Sequence, residues 1–344
     1  MSGGLLWIGR FLLRALLFLV VALSAVWIGF CLYFQLPLPD IAKSIAVLAW
    51  ALFAVAILTL EIARPSWRVR GLYILAIIVF AAWWSTILPT NDRDWRPEVA
   101  HGVTGTVDGD IVTLSNVRDF DWRSDTDFTE RWETRRYDLS KLATVDLVLG
   151  YWMGPQIAHT IISFGFTDGQ HLSFSAEIRP DKTQEFSALA GFFRVFNLVL
   201  IAADERDVIY VRTNVRREDL YLYPIEMPQA GMRALFLSYV ESGNALAARP
   251  KFYNTLTTNC TTVVFRLIRA LDPGLPRDYR ILLSGYLPDY VFEHQGYRTG
   301  LSREEFRARA AISALALAAG NTPGFSAAIR PPTGLAGALP VDKP

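Results

Sequence analysis

The sequence predicts three membrane-spanning helices followed by an α+β domain, and three observations lead there. Residues 5–88 hold three long apolar runs. Residues 101–178 hold short alternating runs broken by turn residues, and helical periodicities gather after residue 185. Strands first and helices later mark an α+β domain. The mean hydropathy of +0.25 is high for a soluble chain, and the apolar excess sits mostly in the first 88 residues.

Ala15–Phe34 is 20 residues without a charge, Ser44–Leu60 is 17 and Gly71–Leu88 is 18. Each suffices to cross a hydrocarbon core of roughly 30 Å as a helix. Arg10 and Arg14 before the first run suggest a signal peptide, but the run is too long and two more follow it directly. Arg64, Arg68 and Arg70 crowd the second loop, whereas the first carries only Asp40 and Lys43. Positive charge stays in the cytoplasm, so the N-terminus is expected inside and residues 89–344 outside. In a bacterial inner membrane that side is the periplasm.

Asn91–Ala100 reads as a charged linker, and strands are expected within Gly105–Leu114, Phe128–Tyr137, Ala143–Tyr151, Ile157–Phe166 and His171–Ile178. Asp168-Gly169 between the last two is a strong hairpin signal. Glu185–Phe196 reads helical, Leu198–Ala202 and Val208–Arg212 as short strands, and Met232–Val240 as a helix. Ser302-Arg303-Glu304-Glu305 is a capping box that opens a last helix over Arg303–Ala319. The organisation expected is an anchor over 1–88, a domain over 89–319 and a disordered tail, rich in Pro, Gly and Ala, over 320–344.

The net charge of +1 supplies no basic field for nucleic acid. No CxxC, HExxH, Walker A or GxGxxG pattern occurs, so no metal or nucleotide cofactor is expected. The chain has two cysteines, Cys31 in the first apolar run and Cys260 after a polar, turn-prone stretch. Val263, Val264, Leu267, Ile268 and Leu271 follow Cys260 at helical spacing. A thiol at a helix start is a candidate nucleophile, because unpaired N–H groups and the dipole favour thiolate there. The competing reading is a small buried hydrophobe, the usual fate of a free cysteine. An oxidising periplasm tips the balance, because a lone thiol there is a liability unless it is buried or used.

Of four histidines, His159 falls inside an apolar strand, where its nitrogens need partners. If Asp168-Gly169 sets the register, paired positions sum to 336 or 337, and His159 faces Glu177 or Ile178. Glu177 then lies beside His159 and can fix its tautomer and stabilise its charge. His171 pairs near Gly165 or Phe166, roughly 20 Å along the ladder. His101 and His294 lie in polar or loop contexts. The expected catalytic set is Cys260, His159 and Glu177, with thiol, base and orienting acid in the chain order His, acid, Cys.

That order is the reverse of papain. It resembles the circularly permuted papain-like fold of lecithin–retinol acyltransferase relatives, which carry a strand His and an Asn-Cys helix start. The wider run is more specific. Asn116-Val117-Arg118-Asp119-Phe120-Asp121-Trp122, Ala158-His159-Thr160, Ser163-Phe164-Gly165-Phe166, Phe174-Ser175-Ala176-Glu177-Ile178-Arg179, Arg212-Thr213-Asn214, Phe252-Tyr253-Asn254 and Asn259-Cys260-Thr261-Thr262 together resemble the Lnb N-terminal periplasmic domain family over about residues 110–295. The resemblance implies a bacterial lipoprotein N-acyltransferase using Cys260 and His159. One departure is that the family name implies a domain preceding membrane spans, whereas here three spans come first. Three functions follow as expectations. The first is a thiol acyltransferase, with a phospholipid acyl donor and an amine acceptor such as a lipoprotein N-terminus. The second is a cysteine hydrolase acting on cell-wall peptides. The third is a membrane-tethered binding module without catalysis.

Overall fold

The computed structural model describes residues 2–152, 154–276 and 278–330. The chain forms two compact units. One comprises Met1–Pro89 together with Ser187–Val195, the other Thr90–Phe186 and Phe196–Pro344.

The first unit contains α1 (Ser2–Gln35), α2 (Asp40–Ala63) and α3 (Trp67–Ser85). All three are long and apolar enough to cross a membrane. Ser66 caps α3 by accepting from the Arg68 N–H. Trp50 Nε1 donates to the Ala25 carbonyl at 2.9 Å, which ties α2 to α1. The segment expected to be a helix over 185–196 has only one short 3₁₀ turn, Ala190–Phe192. Its apolar residues serve the helical unit instead, with Phe193 stacked on Phe30 and Phe34 at 5.5 and 5.4 Å. Cys31 is wholly buried in the same cluster.

In the second unit the strands are β1 (Thr104–Asp108), β2 (Ile111–Arg118), β3 (Asp121–Trp122), β4 (Phe128–Thr129), β5 (Trp132–Asp138), β6 (Leu142–Tyr151), β7 (Ala158–Phe166), β8 (His171–Arg179), β9 (Asn197–Ala203) and β10 (Asp219–Pro224). The helices are α4 (Glu205–Tyr210), α5 (Gln229–Ala248), α6 (Cys260–Leu271), α7 (Leu287–His294), α8 (Arg303–Ala310), α9 (Ser313–Ala319) and α10 (Phe325–Ala328). The main sheet runs β1-β2-β9-β8-β7-β6-β10, with β5 also paired to β2. Its pairings are antiparallel except β2 with β9.

Alternation along β7 and β8 divides two cores. Ala158, Ile162 and Phe164 with Phe174 and Ala176 join α5, α6 and α7 on one face. Ile161 faces the other, under Val208, Ile209, Ala316, Phe325 and Ile329. That second layer departs from the sequence reading in three places. Val208–Ile209, expected as strand, lie in α4, because Asp204 accepts the Arg206 N–H and starts a helix. The last long helix breaks at Ala311, which is extended and bridges Tyr221 of β10, while the Ile312 N–H donates to the Leu220 carbonyl. The domain also continues past 319, because α10 buries Phe325 and Ile329 completely. The rest of the expected tail, 331–344, lies outside the described residues.

Candidate active site

The β7–β8 hairpin sets the site. Gly169 takes φ +87 in the turn, a conformation open to glycine, and Phe166 N–H donates to the Gln170 carbonyl. Paired positions sum to 336, from Gly165 with His171 to Ile161 with Ser175. Continued two residues, this register puts His159 opposite Glu177, as the turn predicted. Ladder pairing of β7 with β8 nonetheless stops at Ile161, although β6–β7 and β8–β9 both run on past that level. N–H groups alternate in direction along an antiparallel strand. Since the Phe166 N–H points to β8, so does the Thr160 N–H, two residues beyond the last bonded position of that series. It faces the Cys260 sulfur instead and favours the thiolate.

Cys260 reaches this opening because the loop before it is locked from within. The Asn254 side chain accepts from the Leu256 and Thr257 N–H groups at 3.1 and 2.9 Å. Asn259 caps α6, with its side chain accepting the Thr262 N–H and its own N–H donating to Thr262 Oγ1, both at 2.8 Å. Backbone bonds from Leu198 to Lys251 and from Tyr253 to Phe196 pin the loop along β9. Thr160 and Thr261, the residues after His159 and Cys260, share a buried hydroxyl hydrogen bond of 2.8 Å. Strand and helix are thereby clamped one residue beyond His159 and Cys260.

His159 Nε2 lies 2.7 Å from Ser175 Oγ and 3.0 Å from Glu177 Oε1. Ser175 donates its own hydrogen to Glu177 Oε1 at 2.7 Å, so Nε2–H is the donor to Ser175. With Nε2 engaged, Nδ1 is the ring nitrogen left for the thiol, and His159 and Cys260 each favour the other's charged form. Arg212 approaches Glu177 Oε1 at 3.1 Å and Glu218 at 3.2 Å. It sits in a π-helical turn, Val211–Val215, a deviation frequent at functional sites. Its Nε is buried without a hydrogen-bond partner.

These neighbours shift the ionisation of the pair. Burial raises the Cys260 pKa, but the His159 charge, the hydrogen bond to it and the Thr160 N–H outweigh burial and bring it down to about 7. Burial and Arg212 lower the His159 pKa, while Glu177 and the Cys260 thiolate carry it up to about 9. Burial also opposes ionisation of Glu177, yet His159 and Arg212 hold its carboxyl well below the usual range. Thiolate facing imidazolium is therefore the favoured form between about 7 and 9. The chief cause is the histidine, rather than the helix start that first drew notice.

A cleft of about 450 Å³ opens on His159 and Glu177, walled by Arg212, Glu218, Trp122 and Trp152. The other histidines stand apart from this group. His171 pairs with Gly165 far along the ladder, His101 packs edge-on against Trp132, and His294 donates from Nδ1 to the Tyr290 carbonyl. Sequence reasoning missed Ser175 and Arg212 as site members. Strand alternation would have found Ser175, two residues before Glu177 on the same face. The Asn116–Trp122 run, whose Arg118 and Trp122 line the cleft, is held by one buried acid. Asp207 accepts two bonds from Arg118, one from the Phe120 N–H and one from Trp122 Nε1.

Residues 128–285 match the family model of the Lnb N-terminal periplasmic domain. The matched stretch contains His159, Ser175, Glu177, Arg212 and Cys260. Neither the curated proteins nor the solved structures include a match to this chain.

Proposed function

We propose that this chain, which belongs over residues 128–285 to the Lnb N-terminal periplasmic domain family, is a membrane-tethered thiol acyltransferase. The observation that carries the reading is the meeting of Cys260, the first residue of α6, with His159, braced by Glu177 at 3.0 Å, on a chain with three helices able to span a membrane. The basic residues Arg64, Arg68 and Arg70 support an orientation with the N-terminus in the cytoplasm and the domain in the periplasm, across a bacterial inner membrane. A site carried on the same chain as membrane-spanning helices meets phospholipid esters as its most abundant acyl donors.

In the first half-reaction the Cys260 thiolate attacks the ester carbonyl. A C–S bond forms, the C–O bond breaks, and His159 gives its proton to the departing lysophospholipid alkoxide. The N–H groups of Cys260 and Thr261, ahead of the capped Thr262 in α6, are the donors best placed for the oxyanion. In the second, an amine such as a lipoprotein N-terminus attacks the thioester. The N–C bond forms, the C–S bond breaks, and the amine proton returns to His159, restoring the ion pair. Glu177 keeps Nε2–H directed away from the thiol and stabilises the imidazolium.

Partition of label tests the reading. Purified protein receives labelled phospholipid with and without a diacylated lipopeptide, and free fatty acid is compared with N-acyl product. Transfer to the lipopeptide, lost in Cys260→Ala, is the expected result. Label released only to water, or cleavage of a cell-wall peptide, would replace transferase with hydrolase. No covalent adduct from either substrate would leave a binding module.

A further inference from the structure

We infer that an apolar slot running along α6, on the side of the Thr160–Thr261 clamp remote from the polar cleft, holds the fatty-acyl chain while its carbonyl is bound to Cys260. This rests on the acyltransfer reading and adds where the chain lies and which residues measure it.

The slot encloses about 120 Å³ and is almost wholly apolar. Thr261, Val264, Phe265 and Ile268 form one wall, at the i, i+3, i+4, i+7 spacing of a single helix face. Leu147 and Ile162 of the sheet and Leu287 and Val291 of α7 close the rest. Its length along the helix, from Thr261 to Ile268, is about 10 Å at 1.5 Å per residue. A space so narrow takes a methylene chain and excludes a head group.

The polar groups on its walls argue for the same occupant. Thr160 and Thr261 bond each other, Tyr290 Oη donates to the Pro276 carbonyl, His294 donates from Nδ1 to the Tyr290 carbonyl, and Gln295 exchanges two hydrogen bonds with the Glu226 backbone, so that only the second ring nitrogen of His294 is left to a polar ligand. A polar ligand would lose its water there and find those partners taken. An alkyl chain loses nothing. The position fixes which alkyl chain it is. Thr160 and Thr261, at one end of the slot, directly follow His159 and Cys260 in the chain; Cys260 itself does not line the slot, so an acyl chain on the thiol enters past the Thr160–Thr261 hydrogen bond. The cleft of His159, Glu177 and Arg212 lies on the opposite face of β7, because Thr160 and His159 alternate. Acyl chain and polar reactants are thus divided between the two faces of one strand, with the thiol at the opening between β7 and β8.

The first test is binding without chemistry. Dodecanoate, below its micelle concentration, is titrated into full-length Cys260→Ala protein, and again after adding Val264→Phe, which fills the slot. Binding weakened tenfold or more by Val264→Phe is expected. Equal binding by a Val264→Phe protein of unchanged melting temperature would overturn the inference, as would no binding to Cys260→Ala. Ile268→Ala enlarges the slot and serves where Val264→Phe does not fold; it should favour hexadecanoate over dodecanoate several-fold, and an unchanged ratio counts against the slot. The second test reads the chain on the enzyme. Phospholipids of mixed chain length are offered together and the adduct on Cys260 is weighed. Ile268→Ala should move the adduct to longer chains, whereas an unchanged profile refutes the slot. If wild-type protein forms no adduct yet dodecanoate binding responds to Val264→Phe, the slot stands and acyl transfer fails.

Discussion

Replacing Glu177 by Gln tests the electrostatic logic of the site with little change of shape. Glu177 acts on the thiol by two routes of opposite sign. Its own charge repels the thiolate, but this ranks well behind the His159 charge that it sustains, the strongest influence favouring thiolate. Glu177 is also the first of the groups that raise the His159 pKa, against burial and Arg212. Without it those two leave His159 neutral at pH 7, and Cys260 loses its cation. With a pKa of about 7, half of the thiol is ionised at pH 7. At the ordinary value of about 8.5, roughly 3 % is. Glu177→Gln should therefore slow alkylation of Cys260 at pH 7 by roughly 15-fold, about 1.6 kcal/mol, and raise its midpoint. The assay is the rate of iodoacetamide labelling against pH, read by intact mass. The double variant with His159→Ala should label no more slowly than His159→Ala alone, because Glu177 works through the histidine. A midpoint that stays near 7 in Glu177→Gln, or clear additivity in the double variant, would refute this chain of reasoning.

Other outcomes follow from the same geometry. Turnover should rise with pH through about 7, as the thiol ionises, and fall through about 9, as the imidazolium that protonates the leaving group is lost; a profile still rising beyond 9 would exclude the ion pair as the working form. Thr261→Val leaves the buried Thr160 hydroxyl without its partner and should cost about 1–3 kcal/mol, much of it recovered in Thr160→Val/Thr261→Val, as urea unfolding would show. A phosphatase fused after Leu88 should be active if the domain lies outside the cytoplasm; activity only of a cytoplasmic reporter would reverse the topology.

Much of this arrangement was legible in the sequence because it is local. The apolar runs, the Asp168-Gly169 turn and the Asn-Cys helix start each declare themselves within a few residues. Register is also local arithmetic, since a turn of known length fixes every pair along the hairpin, and Glu177 followed from it. What stayed hidden depends on partners distant in the chain. Val208–Ile209 form a short apolar run that periodicity cannot assign, and the Asp204 cap decides it. Phe192 and Phe193 read as a helix face, yet Phe193 packs in the helical unit. Arg212 is one of many arginines until Glu177 and Glu218 are seen on either side of it.

The C-terminal segment shows the same limit and yields the last prediction. Composition marks 320–344 as a tail, but Arg330 supplies the counter-charge for two buried acids, Asp146 of β6 and Glu205 of α4. It donates to Asp146 Oδ2 at 2.7 Å and to both Glu205 oxygens, at 2.8 and 2.9 Å. Glu205 also accepts from Ser163 at 2.5 Å. Burial raises the Asp146 pKa even with Arg330 beside it, while Arg330 outweighs burial at Glu205 and holds it down to about 2. Arg330→Met keeps much of the stem but leaves two buried carboxylates facing each other. Breaking such an arrangement costs about 3–5 kcal/mol. The sign with pH is fixed. Glu205, lowered in the folded protein by Arg330, contributes stability that is present above its unfolded value near 4.5 and lost as pH falls toward 2. The variant lacks that contribution, and protonation discharges its orphaned acids, so its deficit should shrink as the pH is lowered toward 4. Urea unfolding of wild type and Arg330→Met at several pH values measures it. A loss below about 1 kcal/mol at pH 7, or one that does not change with pH, would mean that Arg330 lies at the surface and the segment after 319 is dispensable.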